Sequence, residues 1–222
     1  RYKNSIKTSL MSFAEQGLFY AVQLIAIPLT LPYLGEERFG VWMILTSFIA
    51  IISISDFGIQ FGLQNLVASA FGKNETKSIQ RYVSNATLVF VIIGASIILI
   101  SNLAIPNIDV TKIVNVNNKT YYNEIENSAL ILFIAFGISI PLSIGNVILI
   151  AHQKGYIHKN FLIVRNVLAF ILIVLFAKLQ LGLPWLLSGI WLFPISISFI
   201  QLIYVFFIKY RQYSPRLRYI SL

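Results

Sequence analysis

The 222-residue sequence has no cysteine, two histidines and eight acidic residues. The absence of cysteine excludes disulfides and thiolate metal sites. His152 and His158 have a spacing that fits no zinc motif, and we find no phosphate-binding glycine loop, zinc-protease helix or nucleophile elbow. Material for an active site is therefore sparse. An enzyme is the weaker interpretation, and we expect no cofactor and no metal.

Charged residues are also scarce, at 11% of the chain, whereas roughly 25% is usual in a soluble domain. Hydrophobic residues make up 57%, and the mean hydropathy is +0.78. Several stretches without charge approach or exceed the ~20 residues that a helix needs to cross a bilayer. The sequence therefore predicts an all-α, polytopic helical membrane protein.

We predict a single bundle of six transmembrane helices over residues 1–222. The predicted spans are about 8–31, 40–71, 82–105, 127–151, 160–178 and 183–208. With both termini in the cytoplasm, the cytoplasmic segments hold twelve basic residues and the outer segments four, which leaves Arg165 inside a span. The positive-inside rule favours this orientation. The net charge of +9 thus indicates topology and contact with membrane lipids, and no nucleic acid partner.

The second predicted span contains the unusual run SISDFGIQFGLQN at 53–65. Asp56, Gln60 and Gln64 recur at i, i+4 and i+8 and so share one helical face, with Gly58 and Gly62 on the opposite face. The glycines suit a bend or tight helix contact, and the polar face suits a hydrated interior. Asp56 is either a cap or anchor of the fold, or part of a transport path.

Polar residues recur in other spans. Glu15 either pairs near the inner interface or carries a proton, and Arg165 either extends to the interface or places positive charge in a cavity. The candidates for a translocation path are Glu15, Gln16, Gln23, Asp56, Gln60, Gln64, Asn65, Asn146, Arg165 and Asn166. The candidates for hinges or packing sites are Pro28, Gly58, Gly62 and Pro141.

The segment from residue 32 to residue 65 resembles the early part of polysaccharide flippases, the lipid-linked oligosaccharide exporters of the multidrug/oligosaccharidyl-lipid/polysaccharide superfamily. The matching features are Pro32, Leu34-Gly35, Glu37, Phe39-Gly40, Trp42 and Asp56-x-Gly58. The six predicted spans agree with the first half of that fold over the whole chain.

The resemblance implies a fold of two pseudo-symmetric six-helix halves around a central cavity. It implies the transfer of an undecaprenyl-diphosphate-linked oligosaccharide across the bacterial cytoplasmic (inner) membrane, by alternating access, for polysaccharide (O-antigen) biosynthesis. The expected partners are the lipid-linked sugar, a missing C-terminal half or a second copy, and polysaccharide assembly proteins. We expect a truncated gene product. The alternatives are a multidrug/cation antiporter of the same superfamily and a membrane-embedded transferase.

Overall fold

The computed structural model describes residues 2–54, 58–116 and 118–220, with side chains except those of 2, 3, 50–54 and 119. Its helices are α1 (Tyr2–Ile54), α2 (Ile59–Gly72), α3 (Thr76–Ala104), α4 (Val110–Ile113), α5 (Tyr122–Ala151), α6 (Gly155–Lys178), α7 (Leu183–Leu187) and α8 (Ile195–Ile203). Two π-helical segments, Ser188–Leu192 and Tyr204–Lys209, extend α7 and α8 into one apolar path, Leu183–Lys209.

Within the described ranges, five helical paths are long and apolar enough to cross a membrane: Asn4–Ile49, Thr76–Asn107, Tyr122–Ala151, Gly155–Lys178 and Leu183–Lys209. The predicted all-α membrane class is thereby confirmed. Three helices begin about five residues before the predicted spans, at 76, 122 and 155 instead of 82, 127 and 160. Hydropathy detects the part of a helix that suits hydrocarbon, whereas hydrogen bonding continues the helix through its polar first turns.

The chain turns back at Gly35, where the two halves of α1 meet with φ 77° and ψ 165°. Only glycine adopts such a backbone without steric cost. The predicted linker over 32–39 is thus reduced to one non-helical residue, and the helical geometry continues through Pro28. Beyond the turn, Leu45 and Phe48 lie with Ile97 of α3 around an apolar pocket of about 350 Å³. The second predicted span, 40–71, thus corresponds to the second half of α1, residues 36–54, and to α2.

Two apolar cores fill the two ends of the bundle. One includes Trp42, Leu132 and Leu186, and the other includes Val67 and Ile148. The second core lies beside the α2–α3 turn (73–75), the α5–α6 turn (152–154) and residues 210–220. Because these segments are rich in lysine and arginine, we call this the basic end.

α3 and α5 cross closely at two glycines. A Cβ atom on Gly137 would meet Ile98 Cγ1 at 2.7 Å and the Gly94 carbonyl oxygen at 2.8 Å, so neither glycine leaves room for a side chain. Gly62, predicted for packing, has open space where its Cβ would be. Gly58 has φ 70° and precedes the first turn of α2, as suits a bend.

Candidate translocation cavity

A cavity of about 650 Å³ lies inside the bundle, around the middle of the long helices. Its walls come from α2, α3, α5, α6 and α8, and no described residue of α1 lines it. Apolar side chains such as Phe90 and Phe136 form much of the surface. The polar lining residues are Gln60, Ser139, Ser143, Asn146, His158, Arg165, Ser198 and Gln201. A mostly apolar pocket with a few convergent polar groups is typical of ligand sites.

Arg165 supplies the positive charge of this cavity. It lies on α6, and no hydrogen bond or ion pair joins its guanidinium to another residue in the described part of the chain. Glu15 is the acid that acts on it electrostatically. A guanidinium without a direct partner inside a membrane protein is costly, and such groups usually mark substrate or ion pathways.

Glu15 itself is held by two groups on α6. Its Oε2 accepts a hydrogen bond from Lys159 Nζ at 2.9 Å, and its Oε1 is 3.5 Å from Asn166 Nδ2. The Glu15 residue is only 9% exposed. The carboxylate therefore ties α1 to α6 behind the cavity wall. With Lys159 as its direct partner, Glu15 leaves the charge of Arg165 without a contact ion.

The remaining polar lining groups differ in how far they are satisfied. His158 Nδ1 and Gln201 Oε1 are 3.1 Å apart, which joins α6 to α8. Ser139 and Ser143 donate hydrogen bonds to carbonyls of their own helix. Asn146 Oδ1 is buried and has no hydrogen-bond partner among the described residues. A buried acceptor of this kind binds a donor such as water or a hydroxyl when one enters the cavity.

The structure brings together only part of the predicted path. Gln60, Asn146 and Arg165 line the cavity, whereas Glu15 and Asn166 face each other outside it. Three predicted residues are exposed on the outer surface of the bundle, namely Gln16, Gln23 and Asn65, and Gln64 is half-buried. Asp56 lies outside the described residues. Pro141 is on α5, where its ring packs close to Gly94.

Five polar lining residues are absent from the predicted path: Ser139, Ser143, His158, Ser198 and Gln201. Gln201 is an isolated amide in the apolar last span. An amide inside an apolar span is also what singled out Gln60 and Asn146, so Gln201 could have been predicted from the sequence. His158 was considered only as a metal ligand. Its pairing with Gln201 depends on the approach of two helices 43 residues apart in the chain.

The fold of the chain matches part of a solved membrane transporter. The chain matches the outward-facing conformation of a multidrug resistance MATE family transporter of the MOP superfamily, with a TM-score of 0.77 and 17% sequence identity. The match covers 99% of this chain and 48% of that one. The chain therefore has the fold of about one half of such a transporter.

Sequence relatives narrow the class. Two proteins bear the name "Putative O-antigen transporter". The one from Salmonella typhi is 30% identical over 138 residues, which are 62% of this chain and 30% of the relative. The one from Salmonella typhimurium is 35% identical over 75 residues, 34% of this chain and 17% of the relative. No family model matches. The predicted resemblance to the polysaccharide flippase family is confirmed, for a chain that spans less than half of the proteins it matches.

Proposed function

We propose that this chain is one half of a flippase that moves undecaprenyl-diphosphate-linked oligosaccharide across the bacterial cytoplasmic membrane by alternating access, with both termini cytoplasmic. The observation that carries the proposal is the cavity in which Arg165 has no contact ion. The names of the Salmonella relatives support the substrate class.

The chemistry of the substrate suits the cavity. A sugar diphosphate carries negative charge and many hydroxyls, and its transfer through hydrocarbon without partners is very costly. Arg165 offsets the diphosphate charge through charge-assisted hydrogen bonds. Gln60, Asn146 and Gln201 replace water around hydroxyls, while the polyprenyl tail stays in the lipid.

A further polar face fits a two-half transporter. On α1, Gln16, Tyr20 and Gln23 lie at helical spacing and are exposed, with Tyr20 63% exposed. Exposed amides are unfavourable against lipid, so this face requires a polar neighbour. In the proposed transporter it borders the space between this half and the second.

The alternative function is multidrug or cation export by an antiporter; the solved transporter is named for multidrug resistance. Such a mechanism requires an acid on the path. The described cavity lining contains no aspartate or glutamate. Glu15 has Lys159 as its ion partner, so in this alternative Asp56 is the remaining candidate.

The test is translocation by the gene product at its natural length. The protein is reconstituted into proteoliposomes, and transfer of a fluorescent lipid-linked oligosaccharide between leaflets is measured. We expect transfer that Arg165→Ala abolishes and Arg165→Lys partly restores. Lys112→Ala is the matched control, because Lys112 is exposed and pairs only with the nearby Asp109. No transfer, together with proton-driven efflux of a cationic dye that Asp56→Asn abolishes, would replace the flippase by the antiporter.

A further inference from the structure

Residues 210–220 are a docked segment, which we call the 210–220 arm. Tyr210 and Tyr213 are buried, with ring centroids 4.5 and 5.2 Å from that of His152. The arm also binds α3. Gln80 Nε2 donates to the Ser214 carbonyl at 3.3 Å, and the Arg216 backbone N–H donates to Ser84 Oγ at 3.0 Å. The arm is thus held at a defined height against the first turns of α3.

That height is the level of the lipid headgroups. The α3 path Thr76–Asn107 has 32 residues and is therefore ~48 Å long, whereas the hydrocarbon core of a bilayer is about 30 Å thick. When the helix stands upright and is centred in the bilayer, roughly 9 Å, or about six residues, extends beyond the hydrocarbon at each end. Gln80 lies within these six residues at the basic end, and Ser84 lies about one helical turn deeper.

The arm directs a strongly basic surface outward. Arg211, Arg216 and Arg218 are exposed, and so is Leu217 between the last two, at 87%. The neighbouring α2–α3 turn adds Lys73 and Lys77, both exposed. The acid nearby is Glu75, whose carboxylate accepts a hydrogen bond from Ser78. An exposed leucine flanked by arginines combines apolar insertion with electrostatic attraction to anionic lipid.

We propose that the 210–220 arm binds the surface of the membrane, with Leu217 inserted below the headgroups and Arg216 and Arg218 on the phosphates of anionic lipids. A docked arm of this kind ties the inner ends of α3 and α8 to the lipid surface. The charge of the arm favours anionic lipid over an apolar protein surface, because buried arginines without acidic partners would destabilise a protein interface.

The 222 residues contain no cysteine, so Leu217→Cys introduces the one spin-label site among them, and cysteines elsewhere in the natural-length protein are first replaced by serine. The labelled protein, at its natural length, is reconstituted into vesicles of phosphatidylglycerol with phosphatidylcholine, or of phosphatidylcholine alone. Collision rates with oxygen, which concentrates in lipid, and with a water-soluble nickel complex are then measured. Leu99→Cys, exposed on the apolar second half of α3, is the hydrocarbon reference, and Glu36→Cys, exposed beside the Gly35 turn, is the aqueous reference.

In anionic vesicles we expect the label at 217 to collide with oxygen nearly as often as the label at 99, and with nickel much less often than the label at 36. Each of Arg216→Gln and Arg218→Gln should lower the ratio of immersed to aqueous label about fivefold. In vesicles of phosphatidylcholine alone, the label at 217 on the otherwise unchanged protein should collide with nickel as often as the label at 36. Unchanged thermal stability of the two glutamine variants shows that the fold is retained.

Three results would overturn the proposal. Nickel collision rates equal to those at 36 in both lipid mixtures would place the arm in water. Shielding from oxygen and nickel together would show that protein covers the arm. Immersion that is insensitive to lipid charge and to both arginine substitutions would show that anionic lipid is not the ligand.

Discussion

Arg38 and Arg165 are both arginines in a very apolar bundle, yet their surroundings differ completely. Arg38 donates from Nε to the Leu34 carbonyl at 2.7 Å and from Nη2 to the Tyr33 carbonyl at 3.0 Å. Its Nη1 lies 3.6 Å from Glu124 Oε1. Arg165 has no such contact in the described part of the chain. A fully partnered arginine stabilises a fold, whereas an unpartnered one is a cost that function must explain.

The partners of Arg38 show what it holds together. The Leu34 and Tyr33 carbonyls end a helical segment at Gly35 and so lack helical partners of their own. Glu124, at the start of α5, also accepts a hydrogen bond at 2.6 Å from the Leu183 backbone N–H, at the start of α7. The ion pair therefore joins the Gly35 turn, α5 and α7. Around Arg165 the corresponding space is the cavity.

The largest effect should come from Glu124→Ala. The variant removes the ion partner of Arg38 and the acceptor of the Leu183 N–H. We expect the free energy of unfolding to fall by about 2 kcal/mol, less than the about 3–5 kcal/mol of a fully buried pair, since the side chains are 23% and 20% exposed. Thermal unfolding in detergent measures the loss. Glu36→Ala, on the exposed side of the turn, is the control and should leave the free energy of unfolding unchanged. An equal loss in this control would show that the Arg38–Glu124 pair is not the cause.

Arg165→Ala should separate stability from transport. Removing a desolvated charge without a contact partner should leave the thermal midpoint unchanged or higher. Translocation of lipid-linked oligosaccharide should fall at least tenfold, which corresponds to about 1.4 kcal/mol. Both quantities are measured on the same preparation. A variant that loses stability as Glu124→Ala does would make Arg165 a structural arginine like Arg38.

The coupling between Glu15 and Lys159 should be smaller than the total loss from Glu124→Ala, because that variant also removes the acceptor of the Leu183 N–H. Their contact distance is 2.9 Å, and the side chains are 11% and 23% exposed. A double-mutant cycle with Glu15→Gln and Lys159→Met should give a coupling of about 1 kcal/mol in the free energy of unfolding. Additive effects of the two substitutions would show that the pair does not hold α1 on α6, and would return Glu15 to the candidates for proton transfer.

The smallest effect should come from His152, whose buried Nε2 has no partner in the described structure. Burial lowers the pKa of His152 below its ordinary value of 6.5, and the nearby Lys154 acts in the same direction. Below about pH 6.5 the unfolded chain therefore binds a proton that the folded chain refuses, so stability decreases as pH falls. The thermal midpoint should drop modestly between about pH 7.5 and about pH 5. His152→Phe should reduce that drop, and an unchanged drop would assign it to other groups.

Much of the fold could be predicted from the sequence because hydrophobic length is a direct record of bilayer thickness. The exact form of the turn at Gly35 was harder to predict from the sequence. A Leu34-Gly35 pair near two prolines indicates a linker, but only the hydrogen bonds from Arg38 to the carbonyls before it allow helix on both sides of one residue. Helical periodicity grouped Gln60 with Gln64, yet Gln60 lines the cavity and Gln64 does not. Whether a residue lines the cavity depends on where the neighbouring helices lie, and the periodicity of one helix does not give their positions.

By itself, then, the sequence determined that this protein is a helical membrane bundle with a basic end, since composition and the spacing of charges express those properties residue by residue. Only the tertiary structure decided which polar residues meet. Lys159 binds Glu15 from 144 positions away, and the 210–220 arm reaches Ser84 from 132 positions away. Such contacts depend on how helices cross, above all at Gly94 and Gly137. The sequence places Arg38 in a predicted linker and Arg165 inside a predicted span, but only packing provides partners for the first and a cavity for the second.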